Sequence, residues 1–259
     1  MPELWFGLIV IGLIAGVASG MFGIGGGLII VPALILLLGF TQLAANGTSL
    51  AALLMPVSIF AVIAYYRAGK LKLSVAFWVA LGLLVGGYIG GTLANDLASD
   101  ILKRLYGVFL LYMAWRFAEP RKWYARWRGE NIPHPPEDSE GERTWYILLI
   151  VGFVAGVMAG LFGIGGGAVI VPALVALLHF DQKRAVGTSL ASLLIPNIPV
   201  LIPYYQNGNL NFTTAICVAL GLVGGAFVGA KIALGLPSST IKRLYGIFLL
   251  LVGLRFIFS

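Results

Sequence analysis

The chain alternates long apolar stretches with short polar breaks, and most of its charge falls in the breaks. Apolar runs such as Leu4–Ala18, Ala51–Ala64, Val75–Gly90 and Tyr106–Ala118 recur along its whole length. Several reach or approach the ~20 residues that cross about 30 Å of hydrocarbon at 1.5 Å per residue. The pattern predicts ten helical segments. The first five cover about Leu4–Met21, Leu28–Phe40, Ala45–Tyr66, Leu73–Ala94 and Ile101–Ala118. The second five cover about Trp145–Leu161, Ala168–Phe180, Ala185–Tyr205, Phe212–Ala233 and Ile241–Phe258. The second segment of each five is too short to span and follows a Gly-rich break. The first two segments therefore read as a broken or re-entrant hairpin with its tip inside the membrane. Non-helical backbone survives at that depth only when buried in protein or lining a cavity.

The two fives are copies. Gly20–Pro56 aligns with Gly160–Pro196 at an offset of 140, with 25 of 37 positions identical. The identities include Phe22-Gly-Ile-Gly-Gly-Gly27 with Phe162-Gly-Ile-Gly-Gly-Gly167, and Val31-Pro-Ala-Leu34 with Val171-Pro-Ala-Leu174. Gly47-Thr-Ser-Leu-Ala51 likewise matches Gly187-Thr-Ser-Leu-Ala191. After one deletion, Tyr65-Tyr66 meets Tyr204-Tyr205 and Lys103-Arg-Leu-Tyr-Gly107 meets Lys242-Arg-Leu-Tyr-Gly246. Self-similarity over a whole chain is an architectural statement before it is a functional one. The organisation expected is a transmembrane repeat over 1–118, a polar linker over 119–143 and a second repeat over 144–259. The linker carries Pro133, Pro135, Pro136 and the acidic Glu137-Asp138, which suit an aqueous loop. Its first part interleaves Arg121, Lys122, Arg126 and Arg128 with Trp123, Tyr124 and Trp127, as a segment resting at the headgroups does.

Composition narrows the class further. Of 259 residues, 59% are hydrophobic and 10% charged, with a mean hydropathy of +0.97; soluble domains carry about 25% charged residues. The net charge of +7 forms no contiguous basic face, so nucleic acid is not an expected partner. One cysteine, Cys217, excludes an internal disulfide and a Cys-based metal cluster, and two histidines, His134 and His179, are too few for a His-rich one. Met1-Pro2-Glu3-Leu4 lacks the positive start of a removable signal peptide. Every Asp and Glu lies near a segment end or in the linker. A carboxylate proton relay therefore has no candidate. The lack of paired acids and of an activated nucleophile argues against an enzyme.

Charge also orients the copies. Arg67-Ala-Gly-Lys70-Leu-Lys72 is basic where its twin Gln206-Asn-Gly-Asn-Leu-Asn211 is neutral. Conversely, Thr41-Gln-Leu-Ala-Ala-Asn46 is neutral where Asp181-Gln-Lys183-Arg184 carries two positive charges. Under the positive-inside rule the repeats point in opposite directions, with the linker in the cytoplasm and both termini outside. The fold expected is an all-α polytopic membrane protein of two inverted-topology repeats. Each has about five helical segments, and the Gly-rich hairpins meet near the midplane.

Inverted repeats with interrupted helices place a ligand where the broken elements meet. The candidate site is Gly23, Gly25, Gly26 and Gly27 with Gly163, Gly165, Gly166 and Gly167. Their unobstructed N–H groups and the positive ends of the following helices suit a small oxyanion. The competing reading is close helix packing, which is preferred for Gly86-Gly87 with Gly90-Gly91 and for Gly224-Gly225 with Gly229. No Lys-Ser or Lys-Thr follows the glycines, so the loop is no nucleotide P-loop. Thr48, Ser49, Thr188 and Ser189 sit at expected helix starts, where their hydroxyls either cap the helix or contact ligand. Asn197 replaces Val57 and is a further candidate contact. Lys231, in place of Thr92, reads chiefly as a snorkelling lysine.

The duplicated Gly-Ile-Gly-Gly-Gly, Val-Pro-Ala-Leu and Gly-Thr-Ser-Leu-Ala motifs, in this order over nearly the whole chain, resemble the TauE/SafE family of sulfite and sulfonate exporters. The resemblance implies secondary transport of sulfur-containing oxyanions, commonly outward across the bacterial inner membrane. From the residues, no cofactor and no metal are expected. The partners expected are the lipid bilayer and a small anion, with a homodimer left open. An anion channel on the same scaffold and a non-transporting membrane component are the alternatives.

Overall fold

The structure is a computed structural model that describes residues 2–55, 58–118, 145–194, 198–236, 250–251 and 253–254. The described residues form eleven helices and no strand. The first repeat supplies α1 (Pro2–Phe22), α2 (Gly27–Leu38), α3 (Gln42–Leu54), α4 (Ile59–Arg67), α5 (Leu73–Asp96) and α6 (Ser99–Ala118). The second supplies α7 (Trp145–Phe162), α8 (Gly167–Leu178), α9 (Gln182–Ser192), α10 (Ile198–Gln206) and α11 (Phe212–Gly235). The linker, Asn197 and most of the tenth expected segment lie outside the described residues.

Four of these helices are long and apolar enough to cross a bilayer, and a fifth span arises if α3 and α4, whose axes differ by 53°, are taken together. α6 has the length, 20 residues, but carries Asp100, Lys103, Arg104 and Arg116. The protein is thus an all-helical, multi-pass membrane protein. Its outer surface agrees, since Phe6, Leu37, Leu73 and Tyr205 are more than half exposed, a cost in water but none against lipid.

Two expectations change in detail. The third segment of each repeat is not one helix but two, α3 with α4 and α9 with α10. These helices also begin earlier than their apolar run. Thr41 Oγ1 accepts the Ala44 N–H (3.3 Å) and an Asp181 carboxylate oxygen accepts the Arg184 N–H (2.6 Å). A side-chain acceptor three residues before a free N–H fixes a helix start regardless of where hydrophobicity rises. Thr48, Ser49, Thr188 and Ser189 therefore lie inside helices and cap nothing.

Each repeat's first helix packs on the other repeat's long helix, α1 along α11 and α5 along α7. Glycines every fourth residue make this possible. A methyl at Gly12 would strike Val218, at Gly16 Leu222 and at Gly20 Ala226, so the two helices run side by side in the same direction. Gly82, Gly86 and Gly90 meet Leu149, Phe153 and Val157 in the same way on the second pair. Small residues let backbones approach, which drives association where the lipid is as apolar as the side chains. Gly86, Gly90, Gly225 and Gly229 thus take the packing role read from the sequence, whereas a methyl at Gly224 would meet nothing.

The turns collect at two ends. At one, Lys70 pairs with Asp181 (2.6 Å) and Lys183 Nζ donates to the Leu234 carbonyl at the end of α11 (2.7 Å). Lys72 and Arg184 both sit over the Phe180 ring. Partial burial pushes the Asp181 pKa up, but the Lys70 hydrogen bond, the Arg184 N–H and the two positive charges outweigh this and hold it below the ordinary carboxylate value. At the other end, Asn209 Nδ2 donates to Asn95 Oδ1 near the end of α5 (2.8 Å). Asn211 N donates to Thr48 Oγ1 (3.1 Å).

Candidate functional site

Both glycine loops leave a first helix, turn within five residues and enter a short helix. Gly23, Gly25 and Gly26 take φ of 71°, 79° and 86°, and Gly163, Gly165 and Gly166 take 70°, 76° and 82°. Three left-handed residues within four positions are open to glycine and almost to nothing else. The repeated sequence is therefore a conformational requirement.

The loops meet tip to tip. A Cβ built on Gly25 lies 3.7 Å from Gly165 Cα, and one on Gly165 lies 3.9 Å from Gly25 Cα. Behind the tips, a Cβ on Gly27 would enter the backbone of Gly163 and Ile164, and one on Gly167 the backbone of Gly23 and Ile24. Every residue from 22 to 28 and from 162 to 168 is buried. Gly23, Gly25 and Gly27 meet Gly163, Gly165 and Gly167 of the opposite loop, whereas Gly26 faces Ala15 and Leu222 and Gly166 faces Ala155 and Leu83.

Hydrogen bonding gives the junction its polarity. Gly23 N donates to the Ser19 carbonyl, and Ile29 and Ile30 to Gly26, with the same three bonds in the second repeat. Among the described residues, the N–H groups of residues 24–28 and 164–168 have no acceptor. One carbonyl in each loop is held from the opposite repeat. Ser49 Oγ crosses to the Gly163 carbonyl and Ser189 Oγ to the Gly23 carbonyl, each at 2.8 Å. With the Gly23 and Gly163 carbonyls engaged, the loops carry buried donors at the positive ends of α2 and α8. Water-excluded donors of this kind are costly when unpaired and favour an anion.

Thr48 and Thr188 act further out, accepting the Asn211 and Lys72 N–H groups at 3.1 Å and so tying each helix to a turn of the other repeat. Tyr65 and Tyr204 hydroxyls donate to the Gly20 and Gly160 carbonyls, at 3.0 and 2.5 Å, closing the helix ends that lead into the loops. The four hydroxyls of Thr48, Ser49, Thr188 and Ser189 thus hold the loops and turns in place. Twin leucines cover the tips: Leu193 Cδ1 lies 3.3 Å from a Cβ built on Gly25, and Leu53 Cδ1 lies 2.9 Å from one on Gly165. Asn197 lies outside the described residues. Lys231 is exposed, with its ammonium 4.4 Å from the Phe227 ring centre, in keeping with a snorkelling lysine.

One neighbouring group escaped the sequence reading. Asn46 is fully buried, receives a hydrogen bond from Gln42 Nε2 (2.9 Å) and donates to the Leu161 carbonyl (2.8 Å). The signal was present in the repeat alignment, where Val186 stands opposite Asn46.

A family model described as sulfite exporter TauE/SafE matches residues 8–256. A probable membrane transporter protein, YunE of Bacillus subtilis, is 30% identical over 271 aligned positions covering 97% of each chain. Another, MJ0441 of Methanocaldococcus jannaschii, is 30% identical over 277 positions covering 94% of each. A probable membrane transporter protein of Haemophilus influenzae is 24% identical over 266 positions, with 95% of this chain and 96% of that one covered. No solved structure matches.

Proposed function

Because this chain belongs to the TauE/SafE sulfite exporter family and is a membrane transporter, we propose that it exports a small sulfur-containing oxyanion, sulfite or an organosulfonate, across the cytoplasmic membrane. The observation that supports this is the meeting of the two buried glycine loops, whose N–H groups at residues 24–28 and 164–168 have no acceptor among the described residues. An oxyanion with several equivalent oxygens accepts from both sets at once. Ser49 and Ser189 engage the Gly163 and Gly23 carbonyls and so fix the loops around the anion. Alternating access follows if one repeat rocks against the other about this junction, exposing it first to one side and then to the other.

The orientation proposed is inverted. In support, the turn before α5 sits at the end where α11 finishes, and the turn before α11 sits at the end where α5 finishes. Since α1 runs with α11 and α7 with α5, twin helices then run in opposite directions. Arg67, Lys70, Lys72, Lys183 and Arg184 belong to the first of these ends, which by the positive-inside rule faces the cytoplasm. Single cysteines at the exposed twin positions Ala68 and Asn207, in a Cys217→Ser background, are expected to label from opposite sides of intact membranes. Labelling of both from one side would end the inverted reading.

Function is tested by flux. Proteoliposomes holding the purified protein are expected to accumulate labelled sulfite or taurine with saturable kinetics, accelerated by the same anion on the far side. Non-saturating flux without that acceleration is the behaviour of a channel and would contradict alternating access.

A further inference from the structure

Among the described residues, the buried amide cluster beside the second glycine loop is not repeated beside the first. Gln42, Asn46 and Tyr204 are 3%, 0% and 0% exposed. Their donors are used: Gln42 Nε2 on Asn46 Oδ1, Asn46 Nδ2 on the Leu161 carbonyl and the Tyr204 hydroxyl on the Gly160 carbonyl. What remains is oxygen. Gln42 Oε1 is buried and receives no donor. The Gly160 and Leu161 carbonyls belong to the last turn of α7, the negative end of that helix. In the first repeat Tyr65 still bonds Gly20, but Val186 replaces Asn46 and Gln182 is partly exposed.

We propose that Gln42, Asn46 and Tyr204, with the carbonyls of Gly160 and Leu161, bind a small monovalent cation of the Na⁺ type. Oxygen-only ligands suit a hard cation. The cluster contains no carboxylate to offset a double charge, which selects a monovalent ion. None of its side chains titrates near neutral pH, so a proton does not substitute. Transporters set cations at the carbonyl ends of half-helices and anions at their N-terminal ends. Here the two lie next to each other, since Asn46 Cα is 2.6 Å from a Cβ built on Gly163. Resting on the transporter reading above, a cation at this point attracts the oxyanion held by the neighbouring loop and couples the two ions. Among the described residues the second repeat has Val186 in place of Asn46.

The test uses Na⁺ alone, with chloride constant and no sulfur anion. Purified protein is melted in increasing NaCl with choline chloride making up the ionic strength, and again with KCl. Wild type is expected to gain melting temperature saturably with Na⁺, by more than it does with K⁺. Asn46→Val, which installs the twin residue, is expected to lose the Na⁺ increment. Gln42→Leu is expected to weaken the apparent Kd at least tenfold, and Gln182→Leu to leave it unchanged. Equal melting of wild type in NaCl and choline chloride overturns the site and assigns the Gln42 oxygen to water. An undiminished Na⁺ increment in Asn46→Val overturns it as well. Sulfite-induced stabilisation in choline chloride is read separately, so failure of the cation site leaves the anion site standing, and the reverse.

Discussion

One methyl group at Gly27 is expected to cost the protein its folded state. A Cβ there would occupy the Gly163 carbonyl oxygen and stand 2.6 Å from Ile164 Cα. Both obstacles are backbone, so no side chain can turn aside. Relief requires the two loops to separate. Separation would break the Ser49 bond to Gly163 and the Ser189 bond to Gly23, the buried links between the repeats at this depth. Overpacking commonly costs about 1–3 kcal/mol, and a collision with fixed backbone falls at the top of that range or above it. Gly27→Ala and Gly167→Ala should each lower the melting temperature by many degrees or yield aggregated protein on size-exclusion chromatography. Gly224→Ala is the control, since its methyl meets nothing and alanine gains up to about 1 kcal/mol in a helix. It should melt at or above the wild-type temperature. Equal melting of Gly27→Ala and Gly224→Ala would mean that the loops do not touch as described.

Gly25 presents the opposite case, in which the fold survives and binding does not. An added Cβ there has Leu193 Cδ1 at 3.3 Å and the Ile164 carbonyl at 3.5 Å, contacts that need only a small shift. Its φ of 79° costs an alanine about 1–2 kcal/mol. The methyl nevertheless stands between the two tips, where an anion accepting from both loops would lie. Hydrogen bonds to charged groups contribute about 1.5–3 kcal/mol each, so loss of one or two weakens binding by at least about a hundredfold. Gly25→Ala and Gly165→Ala are expected to insert and melt cooperatively, a few degrees below wild type, with sulfite no longer raising the melting temperature. If both variants fold and are stabilised by sulfite as wild type is, the loops are not the anion site and their glycines serve packing alone.

Much of this was legible in the sequence, for identifiable reasons. Duplication exposed the loops, because a feature as exacting as Gly-Ile-Gly-Gly-Gly persists in both copies only under a shared constraint. The apolar runs located the long helices, and Gly86, Gly90, Gly225 and Gly229 already read as packing residues. The partners of these residues were not legible. α1 and α5 both carry small residues four apart, and nothing in either copy says that α1 seeks α11 rather than a helix of its own repeat. Helix starts were misplaced where a polar cap, Thr41 or Asp181, lies a full turn before hydrophobicity rises. The break between α3 and α4 was obscured because its flanks are as apolar as the helices. Asn46 does not stand out in the sequence because its neighbours Gly47, Thr48 and Ser49 are identical in both copies, so the unit reads as symmetric there. Asymmetry inside a duplicated unit is where two copies have ceased to do the same work, and Asn46 opposite Val186 is such a place.

The most direct test of the central claim is the melting temperature of detergent-purified wild type against sulfite, sulfate, taurine, sulfoacetate and nitrate at constant ionic strength. A ligand that binds only the folded protein stabilises it by mass action, by about 2.7 kcal/mol at a hundred times its Kd. The account predicts saturable stabilisation by sulfite or a sulfonate, absent in Gly25→Ala and Gly165→Ala. Stabilisation by none of the sulfur anions, or an equal response in the two glycine variants, would contradict it.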